Sequence, residues 1–166
     1  GLARINEGLE KCIYMGNLDA KRDWGHAKDY IEMQWLMLQQ KQPEDFVIAT
    51  GRTETVRRFI EITAIYLNWN INGGEGILWE GNGINEIGRR ADTNEIVVRI
   101  NSKYFRPTEV DTLLGDSSKA FKKLGWKPKT SLEKLIKEML DVDSLEAKRE
   151  SLLKSSQLNN EDIKRL

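Results

Sequence analysis

The chain has 166 residues, a length typical of one domain or a large part of one. Lysine and arginine total 26, and aspartate and glutamate also total 26, so the formal net charge is zero. This balance argues against nucleic acid or an anionic membrane as the main partner, because both attract proteins with an excess of basic residues. The hydrophobic fraction of 39% is ordinary for a chain that buries a core.

The cysteine and histidine content excludes several kinds of site. A single cysteine, Cys12, excludes an internal disulfide and favours a reducing compartment, so we expect a cytoplasmic protein. With one histidine, His26, there are too few ligands for a zinc site. We interpret Cys12 as a small buried residue and His26 as a hydrogen-bonded structural residue. No apolar run approaches the roughly 20 residues of a membrane span, and the uncapped start predicts that the chain begins inside a helix.

The first half of the chain predicts helices alternating with strands. We expect a helix tail over residues 2–11, a strand over 12–15, and a helix over 28–40 that is apolar around most of its circumference and therefore buried between layers. Residues 45–50 predict a strand of a parallel sheet covered on both faces, and a helix follows over about 56–67. This order indicates the α/β class.

The middle of the chain is rich in glycine. The Gly81–Gly83 segment is the nearest match to a dinucleotide-binding loop, but it lacks a third glycine at the right spacing and no clear helix follows. We therefore interpret it as a turn between strands. Trp79 is interpreted as a packing residue, with stacking on a base as the alternative. Residues 84–94 predict a long surface loop, and residues 96–100 predict a strand.

The last third predicts two helices. A short helix is expected between an N-cap at Asp116 and a left-handed C-cap at Gly125. Its inner side is predicted to comprise Ala120, Phe121 and Leu124. Thr130 and Glu133 predict a capping box at the start of a second helix. The charged residues 144–166 are consistent with a peripheral helix or a frayed tail.

Several catalytic patterns are absent from the sequence. A short-chain dehydrogenase site needs a tyrosine with a lysine four residues later, and none of the tyrosines has one. No Gly-x-Ser-x-Gly elbow is present either. We therefore predict no catalytic residue, no cofactor-binding residue and no metal ligand in this chain.

Two arginines are candidates for ligand binding. Arg22 precedes Asp23 and Trp24, and Arg106 is followed three residues later by Glu109. A guanidinium group presents a planar fork of donors that suits a pyrophosphate, and a carboxylate can accept from both hydroxyls of a ribose. The alternative, a surface ion pair at Arg22 and a helix-end cation at Arg106, is the commoner interpretation on composition alone.

Five segments resemble GDP-mannose 4,6-dehydratases, a family of the extended short-chain dehydrogenase/reductase superfamily. They are residues 16–30 (GNLDAKRDWGHAKDY), 37–51 (MLQQ and PEDFVIATG), 104–116 (YFRPTEVD and LLGD), 123–128 (KLGWKP) and 151–154 (SLLK). Family members convert GDP-mannose to GDP-4-keto-6-deoxymannose, with a bound NADP taking a hydride from sugar C4 and returning it at C6. The resemblance implies that the parent protein is such a lyase.

The resemblance also implies a fold. It aligns the chain with the C-terminal half of the family: an α/β substrate-binding domain with a late strand and helices of the Rossmann-like parallel sheet. Residues 1–154 would form this portion, and residues 155–166 a charged tail. The catalytic residues and the NADP site would lie in an N-terminal half that precedes Gly1. Since the strand over 45–50 would then lack its neighbours, we expect the chain to be ordered only beside that half or in an oligomer.

Ligand contacts follow from the same resemblance. Arg22 would contact the nucleotide diphosphate, Arg106 a phosphate and Glu109 the ribose of GDP-mannose, whereas residues 73–94 look divergent from the family pattern. Family membership further implies a homo-oligomer. Two alternatives remain: a fragment of another nucleotide-sugar epimerase or 4-keto reductase of the superfamily, and a non-catalytic nucleotide-sugar-binding or assembly module.

Overall fold

A computed structural model describes residues 1–106 and 114–163, with side chains described through residue 156. The helices are α1 (Leu2–Asn6), α2 (Ala27–Leu38), α3 (Val56–Tyr66), α4 (Ser118–Leu124) and α5 (Leu132–Ile163). The strands are β1 (Ile13–Met15), β2 (Lys21–Arg22), β3 (Glu54–Thr55), β4 (Ile77–Glu80), β5 (Ile87–Arg90) and β6 (Ile96–Ile100). Helices combined with a sheet that contains a parallel pair confirm the α/β class.

The chain divides into two compact units. The first unit comprises residues 1–16, 60–105 and 137–166, and the second comprises residues 17–59 and 106–136. The four-stranded sheet belongs to the first unit, with the order β1-β6-β5-β4. Strand β1 runs parallel to β6, and the other two pairs are antiparallel.

One row of residues across this sheet shows how its covered face is packed. Ile13, Val98, Gly88 and Trp79 lie opposite one another on consecutive strands. The Trp79 ring lies over Gly88, where a Cβ atom would come within 2.8 Å of it. The indole Nε1 donates to the Glu61 carboxylate at 3.1 Å. Trp79 is therefore a packing residue, as the sequence predicts.

The surface loop predicted over residues 84–94 is wrong, because β5 (Ile87–Arg90) lies within it. This strand is polar in sequence, yet it is bonded to β4 on one side and β6 on the other. Its Arg90 guanidinium lies 4.3 Å from the ring centroid of Trp69, which shields part of the charge. The Gly81–Gly83 segment connects β4 to β5, so the predicted turn between strands is confirmed.

Helix α2 is packed on one face only. Met33 is fully buried and forms the core of the second unit with Ala120 and Trp126. The opposite side of the helix is exposed at Ile31, Trp35 and Leu38. Burial between two layers was therefore a wrong prediction for the described residues, since an apolar sequence does not by itself supply a second layer.

Residues 45–50 form no strand in the described structure. Burial nevertheless alternates over the middle of the segment, up to the buried Ala49: Phe46 and Ile48 pack against the core of the second unit, whereas Val47 is exposed. Alternation of this kind is typical of a strand. No described strand pairs with the segment, and a strand is defined by its partner, so the predicted strand is wrong here.

The ends of α4 follow local rules. Gly125 has φ +67° and is the left-handed C-cap, as predicted. The Asp116 carboxylate accepts from the Ser118 amide at 2.9 Å, although the N-cap position itself is Ser117. Phe121 is exposed, so its predicted place on the inner side of the helix is wrong.

Helix α5 is longer than predicted. Ser131 replaces Thr130 as the capping residue, because its Oγ accepts from the Lys134 amide at 3.2 Å. The helix continues to Ile163, so the described part of the charged 144–166 segment is helical. The domain boundary at residue 154 remains a prediction.

Candidate functional site

Arg22 lies on the two-stranded ladder of the second unit. Strand β2 pairs antiparallel with β3, and Arg22 is opposite Glu54. The side chain is half-buried, and its guanidinium donates to the carbonyl of Lys21 at 2.8 Å. The backbone of this arginine is therefore fixed by a ladder.

Asp23 is bonded to the backbone of a distant loop. Its two carboxylate oxygens accept from the Thr50 amide at 2.9 and 3.0 Å, and one of them also accepts from the Gly51 amide at 3.1 Å. Charge-assisted bonds to backbone amides are among the stronger hydrogen bonds in proteins. Asp23 thus fastens the end of the 45–50 segment beside Arg22, an arrangement that differs from a surface ion pair.

The residues after Asp23 have structural roles. The Trp24 indole donates to the Glu54 carbonyl at 3.2 Å, and its ring centroid lies 4.8 Å from that of Phe59. His26 is buried at the N-cap of α2, where its Nδ1 accepts from the Lys28 amide at 3.0 Å. The structural interpretation of His26 is therefore confirmed.

A pocket of about 270 Å³ lies within the second unit, next to this ladder. Its walls are formed by Trp24, Thr50, Arg52, Glu54 and residues 128–132. The lining includes Arg52 and Lys129 as well as Glu54, so it carries both positive and negative charge. The volume falls just below the range of about 300–1,000 Å³ that is usual for small-molecule sites. It therefore has room for a small ligand or for part of a larger one.

Asp29 holds one wall of this pocket in place. Its carboxylate accepts from the amides of Lys129 and Thr130 at 3.0 and 2.9 Å. Burial opposes ionisation of Asp29, but these amides outweigh it, and the pKa lies below its ordinary value. Sequence analysis did not single out Asp29, because its partners are about a hundred residues away and no local pattern signals them.

Of the other two predicted contact residues, the structure describes Arg106 but not Glu109. Arg106 is exposed at the end of a described segment. Glu109 lies in residues 107–113, outside the described residues. The structure therefore does not assemble Arg22, Arg106 and Glu109 into one described site, and their roles remain predictions.

The nearest candidate for a dinucleotide loop does not fit that role. The Gly81–Gly83 turn joins two antiparallel strands and runs into a single 3-10 turn over Gly83–Asn85, so no α-helix N-terminus follows it. Within residues 1–106 and 114–156, whose side chains are described, no cluster of three or more histidine, cysteine or acidic side chains could hold a metal ion. The helices in this described part include none that is both long and apolar enough to cross a bilayer.

Comparison with known proteins gives a consistent result. The family model described as GDP-mannose 4,6 dehydratase matches residues 1–139, a range that includes residues 73–94. A GDP-mannose 4,6-dehydratase of Vibrio cholerae is 51% identical over 164 residues, which are 93% of this chain and 42% of that protein. The human GDP-mannose 4,6 dehydratase is 50% identical over 142 residues, 86% of this chain and 37% of that protein.

Solved structures show the same type of fold. The structure of RMD from Pseudomonas aeruginosa, complexed with NADPH, has a TM-score of 0.65 at 16% identity and covers 87% of this chain. A putative epimerase from Burkholderia cenocepacia has a TM-score of 0.64 at 19% identity. This chain spans about 40% of the length of these proteins and of the curated relatives. With the family model matching most of its residues, the chain belongs to the GDP-mannose 4,6 dehydratase family.

Proposed function

We propose that this chain supplies the nucleotide-sugar-binding part of a GDP-mannose 4,6-dehydratase. The family match over residues 1–139 is the observation that carries the proposal. The chain spans about 40% of its relatives' length, so we assign the catalytic groups and the NADP site to the remainder of the enzyme. A cytoplasmic location and a homo-oligomeric state are part of the same proposal.

Within this part, Arg22 and Arg106 bind the diphosphate of GDP-mannose, and Glu109 binds the ribose. The ladder under Arg22 and the Asp23 clamp beside it support this role, because both fix the backbone from which the guanidinium extends. Bidentate bonds from a guanidinium to a phosphate are charge-assisted and geometrically specific. The small pocket beside the ladder is large enough for part of such a ligand.

Calorimetric titration of the 166-residue chain with GDP tests the assignment. We expect Arg22→Ala and Arg106→Ala each to weaken binding about tenfold or more, since a hydrogen bond to a charged group contributes about 1.5–3 kcal/mol. Arg99→Ala is the matched control, because it removes the same charge from an exposed position on β6. Unchanged GDP affinity in the first two variants would reject the site.

The reaction is tested separately on the complete enzyme. A GDP-4-keto-6-deoxymannose product formed from GDP-mannose supports the dehydratase assignment. An epimerised or reduced nucleotide sugar would instead indicate one of the other enzymes of the superfamily, and an absence of turnover would favour a binding or assembly module.

A further inference from the structure

The ladder that carries Arg22 is short. Strands β2 and β3 have two residues each, and Arg22 is opposite Glu54. Successive side chains of a strand point to opposite faces, so a slip of one residue in the pairing would turn the Arg22 guanidinium to the other side of the ladder. Two paired positions specify a register only weakly, because few bonds oppose such a slip. The direction of the Arg22 side chain therefore depends on contacts outside the ladder.

The start of helix α3 supplies some of these contacts. The Arg57 amide donates to the carbonyl of Leu18 at 2.8 Å, and the Val56 amide donates to the carbonyl of Ala20 at 3.2 Å. Leu18 and Ala20 are both buried. These amides belong to the first turn of the helix, where no intrahelical acceptor is available to them. The residues that lead into β2 are thus bonded to the residues that follow β3.

The Arg57 side chain adds a bidentate ion pair to the same segment. Its Nε donates to Asp19 Oδ1 at 2.9 Å, and its Nη2 donates to Asp19 Oδ2 at 3.1 Å. Two parallel bonds fix both the distance and the orientation of the carboxylate. The Asp19 amide donates to the Asn17 side-chain oxygen at 3.0 Å, so the turn that carries this carboxylate is itself ordered. Because Asp19 keeps 68% of its side chain exposed, the pair by itself contributes little to stability.

The other end of β2 is also held by a carboxylate. Asp23 accepts from the amides of Thr50 and Gly51. Arg22 thus lies three residues after one bonded carboxylate and directly before another. Each carboxylate fixes one end of the strand, so a slip of the register would have to break both sets of bonds.

We propose that Arg57 is a positioning residue for substrate binding. Through Asp19 it fixes the register of β2, and with it the side of the ladder from which Arg22 reaches the diphosphate. The inference rests on the proposed function, because Arg57 has this role only if Arg22 binds the diphosphate. A lysine at position 57 would keep the charge but lose the planar fork that orients the Asp19 carboxylate.

Steady-state kinetics of the complete enzyme with GDP-mannose test the role. We expect Arg57→Met to raise KM about three- to fivefold, the upper range for losing an accessible ion pair, and to leave kcat nearly unchanged. A contact with the diphosphate is made in the ground state and in the transition state alike, so its loss affects mainly KM. Arg57→Lys should resemble Arg57→Met, because it also lacks the fork.

Arg90→Met is the matched control for a purely structural effect. Arg90 makes a similar bidentate pair with Asp92 in the first unit, at 2.9 and 2.7 Å. Since Arg90 also lies over the Trp69 ring, its loss should lower Tm at least as much as the loss of Arg57. We expect the KM of this control to be unchanged.

A double-mutant cycle separates this inference from the proposed function. In an Arg22→Ala background, Arg57→Met should change KM by less than about twofold, since no Arg22 side chain is left to be positioned. An unchanged KM in Arg22→Ala itself would reject the diphosphate contact, and the role of Arg57 with it. A raised KM in Arg22→Ala would leave the contact standing. The positioning role alone would then be overturned by a normal KM in Arg57→Met, by additive effects of the two substitutions, or by an equal rise in the Arg90→Met control.

Discussion

Two apolar segments of similar sequence adopt different structures in this molecule. Ile96–Ile100 forms β6 with a neighbouring strand on each side, whereas residues 45–50 remain without a described partner. Both contain buried apolar side chains, such as Val98 of β6 and Ala49. The difference shows that a sequence pattern determines which side chains turn inward, while the presence of a strand depends on backbone groups elsewhere in the chain or in another chain.

The largest expected difference concerns hydrogen exchange. We expect the amides of Val97 and Val98 to exchange at least about a thousandfold more slowly than those of Val47 and Ile48, because only the former pair lies in a strand bonded on both sides. Mass spectrometry or NMR of the 166-residue chain measures both. Strong protection of Val47 and Ile48 in a monomer would contradict the comparison.

Introducing the same substitution into each of the two segments tests their difference through the free energy of unfolding. Val98→Asp places a carboxylate in the core of the sheet and should cost about 4 kcal/mol or more of unfolding free energy. Val47→Asp makes the same change at an exposed position and should alter it by no more than about 0.5 kcal/mol. Urea denaturation gives both values. Equal losses would mean that residue 47 is buried in solution, as it would be beside a further strand.

A smaller effect is expected where the 45–50 segment meets its own unit. A Cβ atom on Gly115 would lie 2.3 Å from the Ala49 Cβ. Gly115→Ala should therefore cost about 1–3 kcal/mol by overpacking. Ala49→Gly removes the opposing methyl, so the double variant should be more stable than the sum of the two single effects predicts. Strict additivity in thermal unfolding would indicate that the segment is not held against Gly115.

The smallest effect concerns the unit that contains β6. Arg4, and after it Lys154, lowers the pKa of Glu150 to about 2 from an ordinary value of 4.5. Between about pH 2 and pH 4.5, Glu150 is therefore protonated more often in the unfolded chain than in the folded chain. Its contribution to the stability of the folded state is complete above about pH 4.5 and is lost as the pH falls towards 2. Glu150→Gln should remove a small part of the acid dependence of Tm. Glu75→Gln is the exposed control, and identical acid profiles for the two variants would contradict the assignment.

The extent to which sequence anticipates structure differs between features. The C-cap at Gly125 depends on one residue and its neighbours, so a local rule is sufficient to predict it. Strand β5 was missed because its polar residues give no apolar alternation, and its position is set by pairing with β4 and β6. The Asp29 contacts with Lys129 and Thr130 were missed because no local rule links residues so far apart.

The candidate site likewise contains one residue chosen from the sequence and one whose role only the structure shows. Arg22 was chosen because guanidinium chemistry and the family resemblance both indicate phosphate binding, and neither requires coordinates. The role of Asp23 became visible only through its bonds to Thr50 and Gly51, which lie 27 and 28 residues away. The ligand-binding role of Arg22 thus remains a prediction from the sequence, whereas the backbone support around it is seen only in the structure.

The bonds made by Asp23 also determine how a phosphate can be recognised beside it. The amides of Thr50 and Gly51 would otherwise attract an anion, but an internal carboxylate already occupies them. A diphosphate at Arg22 would therefore be attracted by side-chain charge and not by these amides. Such attraction weakens beyond a Debye length of about 8 Å at physiological ionic strength. We therefore expect the affinity for GDP to fall steeply as salt is added, unlike that of a site built from backbone amides.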